Sequence, residues 1–247
     1  MSALARDLTR MLDHSQLMRD CGMEPDPWQE AVLRSESRRM LLLCSRQSGK
    51  STTCAALAVG SALYDPGVVL LIAPAQRQSS ELFRKVNSFY RSLPDVPKVV
   101  QESAMRLELA NGSRIIALPG TESTLRGYSA KTVIIDEASR VDDELFAAVR
   151  PMLATTQGRF VALTTPYGKR GFFYEAWEHG EGWERTKVTA DQCPRIDADW
   201  LADERRLIGD WQYRQEYQCD FVDTEEQFFS SELIEAAITD EVAPLWN

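Results

Sequence analysis

One segment indicates the fold most directly: Leu41-Leu42-Leu43-Cys44-Ser45-Arg46-Gln47-Ser48-Gly49-Lys50-Ser51. An apolar run ends in a short polar loop, and a helix-like segment follows the loop. This is the arrangement of a phosphate-binding loop between a buried strand and a helix, in which backbone N–H groups cradle phosphate. Gly49 lets the backbone approach the phosphate, Lys50 adds positive charge and Ser51 can ligate Mg²⁺. We therefore predict a nucleoside triphosphate site.

The loop departs from the usual pattern G-x-x-x-x-G-K-[ST] at one position, because Cys44 stands where the first glycine belongs. The alternative is a chance Ser-Gly-Lys-Ser sequence without a ligand. The apolar run before the loop and the helix-like segment after it are the context that the motif requires, and they favour the phosphate-binding interpretation.

Further apolar runs alternate with helix-like segments over most of residues 40–175, which predicts a mainly parallel sheet with helices on both faces. The predicted fold class is α/β, a P-loop NTPase of the RecA-like type, with a small C-terminal helical lid or linker subdomain. The Asn111-Gly112 pair also predicts a β-hairpin between 106–109 and 114–118. The predicted buried strands are 40–43, 68–72, 132–135 and 160–163, and the predicted helices between them include 51–63 and 76–92.

Composition limits the classes of protein that the chain can belong to. The 247 residues, 44% of them hydrophobic, suffice for one large domain or two small ones. The net charge of -9 argues against a generally basic nucleic-acid coat but leaves local basic patches open. No apolar run approaches the ~20 residues of a membrane span, and the N-terminus lacks a signal-peptide core, so we expect a soluble intracellular protein. Five scattered cysteines without a Cys-x-x-Cys pair argue against a structural zinc site.

The second chemical signal is an acidic pair, Asp136-Glu137, directly after the apolar run 132–135. At the end of a buried strand the first carboxylate can hold Mg²⁺, and the second can polarise a water for in-line attack on a γ-phosphate. The alternative is an exposed acidic turn. Ligands in such folds bind at the carboxyl ends of strands, which favours the catalytic interpretation.

Four further residues are weaker candidates, each with an alternative. Arg126, beside a glycine, can reach a neighbouring active site as an arginine finger or form a local ion pair. Arg46 can touch the nucleotide or brace the loop against an acid. Gln29 can read an adenine edge or lie on a helix surface. Thr165 can sense the γ-phosphate or simply end a strand.

From about Arg185 onward the sequence differs in character, because 197–207 and 210–218 read as charged amphipathic helices rich in Trp, Tyr and Arg. We predict an ATPase core over 1–185, including an N-terminal helical and adenine-recognising segment. A lid or linker subdomain then follows over 186–225. Asp223-Thr224-Glu225-Glu226 is typical of a linker.

Several motifs, in their order along the chain, resemble those of the ATPase domain of the large terminase subunit of tailed bacteriophages. The resemblance covers roughly 25–225, and their joint order is more specific than any one motif. The residues that carry it are Pro27-Trp28-Gln29, Ser45 to Ser51, Ile72-Ala73-Pro74-Ala75-Gln76, Leu125-Arg126-Gly127, Val133 to Ala138, Thr164-Thr165-Pro166, and Tyr213 to Tyr217 with Phe221.

The resemblance implies a motor that binds ATP and Mg²⁺ and drives viral double-stranded DNA into a preformed capsid. It implies Glu137 as catalytic base, Arg126 as a finger acting on a neighbouring subunit and Thr165 as part of the coupling motif. Lys50 would act on the phosphates, and Ser51 and Asp136 would hold the metal. The expected nucleotide-binding residues are Gln29, Arg46, Gln47, Ser48, Gly49, Lys50, Ser51, Thr52 and Thr165.

The resemblance also implies partners: a portal protein, a small terminase subunit and a homo-oligomeric ring, usually of five subunits. The isolated domain can be a monomer. The expected location is the host cytoplasm, with transient docking at the procapsid portal. The family's nuclease domain would begin about where this chain ends, which would make 226–247 the start of a linker to it. We therefore expect an ATPase without nuclease activity. The alternatives are another P-loop DNA translocase or helicase, and a nucleotide-binding ring-assembly module with little hydrolysis.

Overall fold

The computed structural model describes residues 2–119, 127–222 and 237. Within these ranges the strands form one sheet in the order β3-β4-β5-β2-β6-β7-β1-β8. The strands are Arg39–Cys44 (β1), Val68–Ala73 (β2), Val99–Ser103 (β3), Arg106–Leu109 (β4), Arg114–Pro119 (β5), Thr132–Asp136 (β6), Arg159–Thr164 (β7) and Glu184–Val188 (β8).

The sheet is parallel from β5 to β8 and antiparallel at the other edge, where β4 pairs with β3 and β5. The predicted hairpin is therefore confirmed, with β4 and β5 on either side of Asn111-Gly112. Two edge strands, β3 and β8, were not predicted. Both are largely exposed and polar, so they lack the apolar run that marks a buried strand.

The α-helices in the described ranges mostly follow the predicted segments, and the helix after the loop begins at Lys50 as the motif requires. The N-terminal region is also helical, as expected. The helices are Ala3–Leu12 (α1), Ser15–Asp20 (α2), Pro27–Arg34 (α3), Lys50–Tyr64 (α4), Gln76–Ser92 (α5), Asp143–Ala154 (α6), Gly171–Glu178 (α7), Ala198–Ile208 (α8) and Asp210–Tyr217 (α9).

Helices cover both faces of the sheet, as the fold class predicts. Alternate residues of β1 enter different apolar clusters: Met40 and Leu42 pack with α4 and α5, whereas Leu41 and Leu43 pack with α6 and α7. This alternation follows from the two-residue period of a strand. It places the whole strand, and with it the start of the phosphate-loop motif, between two buried layers.

The C-terminal helices α8 and α9 have a small apolar cluster of their own, which includes Leu201, Tyr213 and Tyr217. They follow β8, which pairs with β1, so the predicted boundary at residue 185 lies inside a strand of the main sheet. Among the helices described, none combines the length and apolar character needed to cross a bilayer.

Candidate nucleotide-binding site

The loop between β1 and α4 has the backbone conformation of a tight turn around a ligand. Gly49 has φ +95, in the left-handed region that favours glycine. A Cβ atom at this position would lie 2.9 Å from Gln29 Nε2, so any other residue would strain the backbone and displace the Gln29 amide. Gln47 also has a positive φ of 60. Two residues of the predicted phosphate loop therefore adopt the left-handed conformation.

Hydrogen bonds hold the loop from outside. The Ser45 N–H donates to the Val188 carbonyl at 2.8 Å, and the Arg46 N–H donates to the Glu216 carbonyl at 3.0 Å. Within the loop, Ser48 Oγ donates to the Ser45 carbonyl at 2.9 Å. The partners at 188 and 216 come from distant segments of the chain, so the shape of the loop depends on the completed fold.

Lys50 connects three of the predicted motifs. Its Nζ donates to Thr165 Oγ1 at 2.6 Å and lies 3.3 Å from Glu137 Oε1. The Lys50 and Glu137 side chains are 12% and 26% exposed, so the ion pair is partly shielded from water. The strand order β6-β7-β1 explains why these residues meet. The acidic pair, Thr165 and the phosphate loop each lie at the carboxyl end of one of these three neighbouring strands. The structure thus brings together three residues that the sequence separates by more than 25 positions.

The acidic pair adopts a constrained geometry at the tip of β6. Glu137 is a non-glycine residue with φ 51, and its N–H donates to Asp136 Oδ1 at 3.0 Å. Burial, reinforced by the charge of Glu137 and opposed by Lys50, raises the pKa of Asp136 to about 6. A carboxylate that is costly to ionise gains from a nearby cation, which fits a metal-holding role.

Two residues, Ser51 and Asp136, are the predicted metal ligands. Ser51 lies in the first turn of α4, and Asp136 is the last residue of β6. One hydroxyl and one carboxylate are the protein donors expected for Mg²⁺, which usually keeps several waters and takes phosphate oxygens. No group of three or more metal-binding side chains (His, Cys, Asp or Glu) occurs among the residues described. The donor set therefore suits Mg²⁺ held jointly with a phosphate rather than by a protein cage.

Gln29 is not a surface residue, so that alternative is wrong. The residue is 2% exposed, and its Nε2 donates to Thr53 Oγ1 at 3.0 Å and approaches the Gly49 carbonyl at 3.5 Å. Its Oε1 accepts a hydrogen bond from the Asp26 N–H, which closes a capping box at the start of α3. Gln29 therefore connects the N-terminal segment to the loop.

Arg46 adopts the bracing arrangement. Its guanidinium pairs with the Glu216 carboxylate of α9, with Nη2 3.3 Å from Oε1, while 60% of the Arg46 side chain is exposed. Thr165 is 8% exposed, and the neighbouring Thr164 Oγ1 accepts from the Ser139 N–H at 3.3 Å. Thr52 lies in the first turn of α4, with its N–H bonded to the Gly49 carbonyl. Arg126 lies outside the described residues.

Sequence reasoning missed three partners of the site: Thr164, Glu216 and Arg195. Arg195 Nη2 donates to the Ser48 carbonyl at 3.0 Å, and Nη1 donates to Asp26 Oδ1 at 2.6 Å. Thr164 and Glu216 lie within motifs that carry the family resemblance, but those motifs assign neither residue a role, and Arg195 belongs to no motif. Both Glu216 and Arg195 lie more than 140 positions from the loop residues that they contact, so their roles depend on the folded structure.

The fold and the site together define a P-loop protein of RecA-like architecture: a mainly parallel sheet with a phosphate-loop motif after β1 and an acidic pair after β6. Residues 41–236 match the family described as "Terminase large subunit, T4likevirus-type, N-terminal". This chain belongs to that family of phage large terminase subunits.

Individual relatives agree with this assignment. The large terminase subunit of Thermus phage G20c is 26% identical, and the alignment covers 85% of this chain and 51% of the relative. The solved ATPase domain of the Thermus phage P74-26 large terminase is 26% identical with a TM-score of 0.74, covering 84% of this chain and 98% of that one.

The crystal structure of the HK97 bacteriophage large terminase shares the fold, with a TM-score of 0.68 at 16% identity, covering 86% of this chain and 54% of that one. This chain spans about half the length of the curated relatives it matches.

Proposed function

We propose that this chain binds ATP with Mg²⁺ and hydrolyses it as the motor domain of a phage large terminase. The observation that carries the proposal is the convergence of Lys50, Glu137 and Thr165 at one edge of the sheet, with Nζ of the lysine within 3.3 Å of both partners. A binding module without hydrolysis has no need for a carboxylate at this point. The family membership supports the same conclusion.

In the proposed reaction, the backbone N–H groups of the loop and Lys50 hold the β- and γ-phosphates. Ser51 and Asp136 would hold the Mg²⁺, which supplies charge neutralisation of the phosphates when bound. Glu137 orients and polarises the attacking water. Lys50 contacts both Glu137 and Thr165. A triphosphate would compete with the Glu137 carboxylate for the Lys50 ammonium group and would leave that carboxylate available to act on water.

The coupling to DNA is the further part of the proposal. As a large terminase domain, the chain would translocate viral double-stranded DNA into the procapsid, in a homo-oligomeric ring docked on the portal in the host cytoplasm. A small terminase subunit would help select the DNA. Arg126 would act on the neighbouring subunit, and Thr165, which contacts Lys50 directly, would report the state of the γ-phosphate to the rest of the motor.

Two substitutions test the ATPase. Lys50→Ala should abolish Mg-ATP binding in calorimetry, because it removes the charge that faces the phosphates. Glu137→Gln should keep binding within about threefold but lower phosphate release in a single-turnover assay by roughly 10²-fold or more. Unchanged phosphate release by Glu137→Gln would show that Glu137 is not the general base. A wild type that binds Mg-ATP without releasing phosphate would favour the ring-assembly alternative over a hydrolytic motor.

A further inference from the structure

Arg195 holds the outer side of the phosphate loop from a segment that no motif includes. It lies between β8 and α8, and its two terminal nitrogens contact different parts of the molecule: Nη2 the Ser48 carbonyl at 3.0 Å, Nη1 the Asp26 carboxylate at 2.6 Å. These partners are 147 and 169 positions away in the chain. One planar guanidinium therefore joins the loop, the N-terminal segment and the C-terminal part of the domain.

The partner of Arg195 is itself fixed. Asp26 is 7% exposed, and its N–H is bonded to Gln29 Oε1 at 2.9 Å. Gln29 Nε2 in turn lies 3.5 Å from the Gly49 carbonyl. Two successive loop carbonyls, those of residues 48 and 49, are thus contacted from the same side by donors that Asp26 orients.

These contacts bear on phosphate binding through the backbone. When the carbonyls of a loop are held on the outside, the intervening peptide planes turn their N–H groups inward, where a phosphate is bound. The approach is close, because a Cβ at Gly49 would lie 3.1 Å from Arg195 Nη2. The guanidinium also contributes positive charge beside the loop, while 49% of its side chain remains exposed.

We propose that Arg195 is a positioning residue for the phosphate loop: it fixes the Ser48 carbonyl outward so that the loop N–H groups converge on the phosphates, and Asp26 holds it in place. The inference rests on the proposed ATP binding at this loop. A residue with this role acts on the phosphate part of the ligand, whatever base the ligand carries.

The test compares affinities for Mg-ATP and for inorganic tripolyphosphate with Mg²⁺, measured by calorimetry on this chain. Arg195→Ala should weaken both by the same factor, roughly tenfold, because a charge-assisted hydrogen bond to the loop is lost. Arg195→Lys, which has one nitrogen for two partners, should lose roughly threefold. Asp26→Asn keeps the helix cap and should give a loss between zero and that of Arg195→Ala.

Arg206→Ala is the matched control, since Arg206 is a 76% exposed arginine of α8 paired only with Asp203 among the ion pairs described, and its affinity should not change. In the double variant, Asp26→Asn should add no further loss to Arg195→Ala. Thermal melting should show Arg195→Lys and Asp26→Asn folded at the assay temperature.

A loss for ATP with unchanged tripolyphosphate affinity would overturn the inference, because Arg195 would then contact the nucleoside. Equal affinities of wild type and Arg195→Ala for both ligands would also overturn it. A wild type that binds neither ligand would contradict the proposed function. A wild type that binds both ligands, with variants that bind equally well, would contradict only the role of Arg195.

Discussion

The Nζ of Lys50 donates a hydrogen bond of 2.6 Å to Oγ1 of Thr165, a residue 115 positions further along the chain. The contact ties the phosphate loop to the end of β7, the strand that separates β1 from β6. In the proposed ATP-bound state, Lys50 Nζ shares its three N–H donors between Thr165 and a phosphate. A change at the γ-phosphate would then reach Thr165 through Lys50, which gives the coupling proposal a concrete first step.

Thr165→Val tests that step, because valine keeps the shape and removes the hydroxyl. We expect Mg-ATP affinity within about fivefold of wild type, since the loss of one hydrogen bond changes the free energy of binding by about 1 kcal/mol or less when the lysine bonds a phosphate instead. Steady-state turnover should fall at least fivefold. Thr155→Val, at an exposed pair with Ser129, is the control and should leave turnover unchanged. Wild-type turnover in Thr165→Val would remove the residue from the coupling pathway.

The raised pKa of Asp136 predicts how the stability of the protein depends on pH. Its pKa is raised from 3.8 to about 6 in the folded protein. Between these two pH values, Asp136 therefore keeps its proton in the folded protein and has lost it in the unfolded chain. This group therefore lowers stability as pH rises through that window, by on the order of 3 kcal/mol in total. Asp136→Asn removes the titration.

Urea unfolding without Mg²⁺ measures the effect. The free energy of unfolding of Asp136→Asn minus that of wild type should increase by about 1 kcal/mol between pH 5 and pH 8. The same variant should lose Mg²⁺-dependent ATP binding at pH 8, because it lacks the carboxylate that we propose holds the metal. An equal difference at both pH values would show that Asp136 ionises as freely in the fold as in the unfolded chain.

Gly49 can be tested against another glycine of similar backbone conformation. Gly49 has φ +95 with Gln29 Nε2 2.9 Å from a built Cβ, whereas Gly112 has φ +86 and nothing within 4 Å. Gly112→Ala should cost only the left-handed backbone strain, about 1 kcal/mol. Gly49→Ala should cost more and also abolish Mg-ATP binding, because Gln29 or the loop must move. Chemical denaturation and calorimetry compare the two, and equal costs with retained binding would contradict the crowding at Gly49.

Arg126 is predicted to act across a subunit boundary. Arg126→Ala should bind Mg-ATP normally and lose ATPase activity, whereas Glu137→Ala loses activity through its own site. Mixed rings contain sites in which an intact Glu137 faces an intact Arg126, so mixing the two inactive proteins should restore activity. The measurement is phosphate release at conditions where light scattering confirms assembly. Assembled mixtures without activity would assign Arg126 a role within its own subunit.

The buried strands and the phosphate loop could be predicted because short runs of residues encode them. The apolar runs gave β1, β2, β6 and β7 because these strands are buried on both faces, and Gly49-Lys50-Ser51 marked the loop because a close phosphate approach restricts residue types. β8 was missed because an exposed edge strand carries Glu, Arg and Lys like a loop. The supports of the loop, Arg195 and Glu216, could not be found, since their roles arise only when chain segments far apart in sequence meet in space.

The position of β1 has a consequence for the synthesis of the protein. β1 is the first strand of the chain, yet both of its neighbours, β7 and β8, come from residues 159–188. A nascent chain shorter than this carries an apolar strand with two bare edges, which is the arrangement most prone to wrong pairing. Production of the domain should therefore depend on chaperones or slow translation until the final strands have left the ribosome, and fragments that stop before β7 should aggregate.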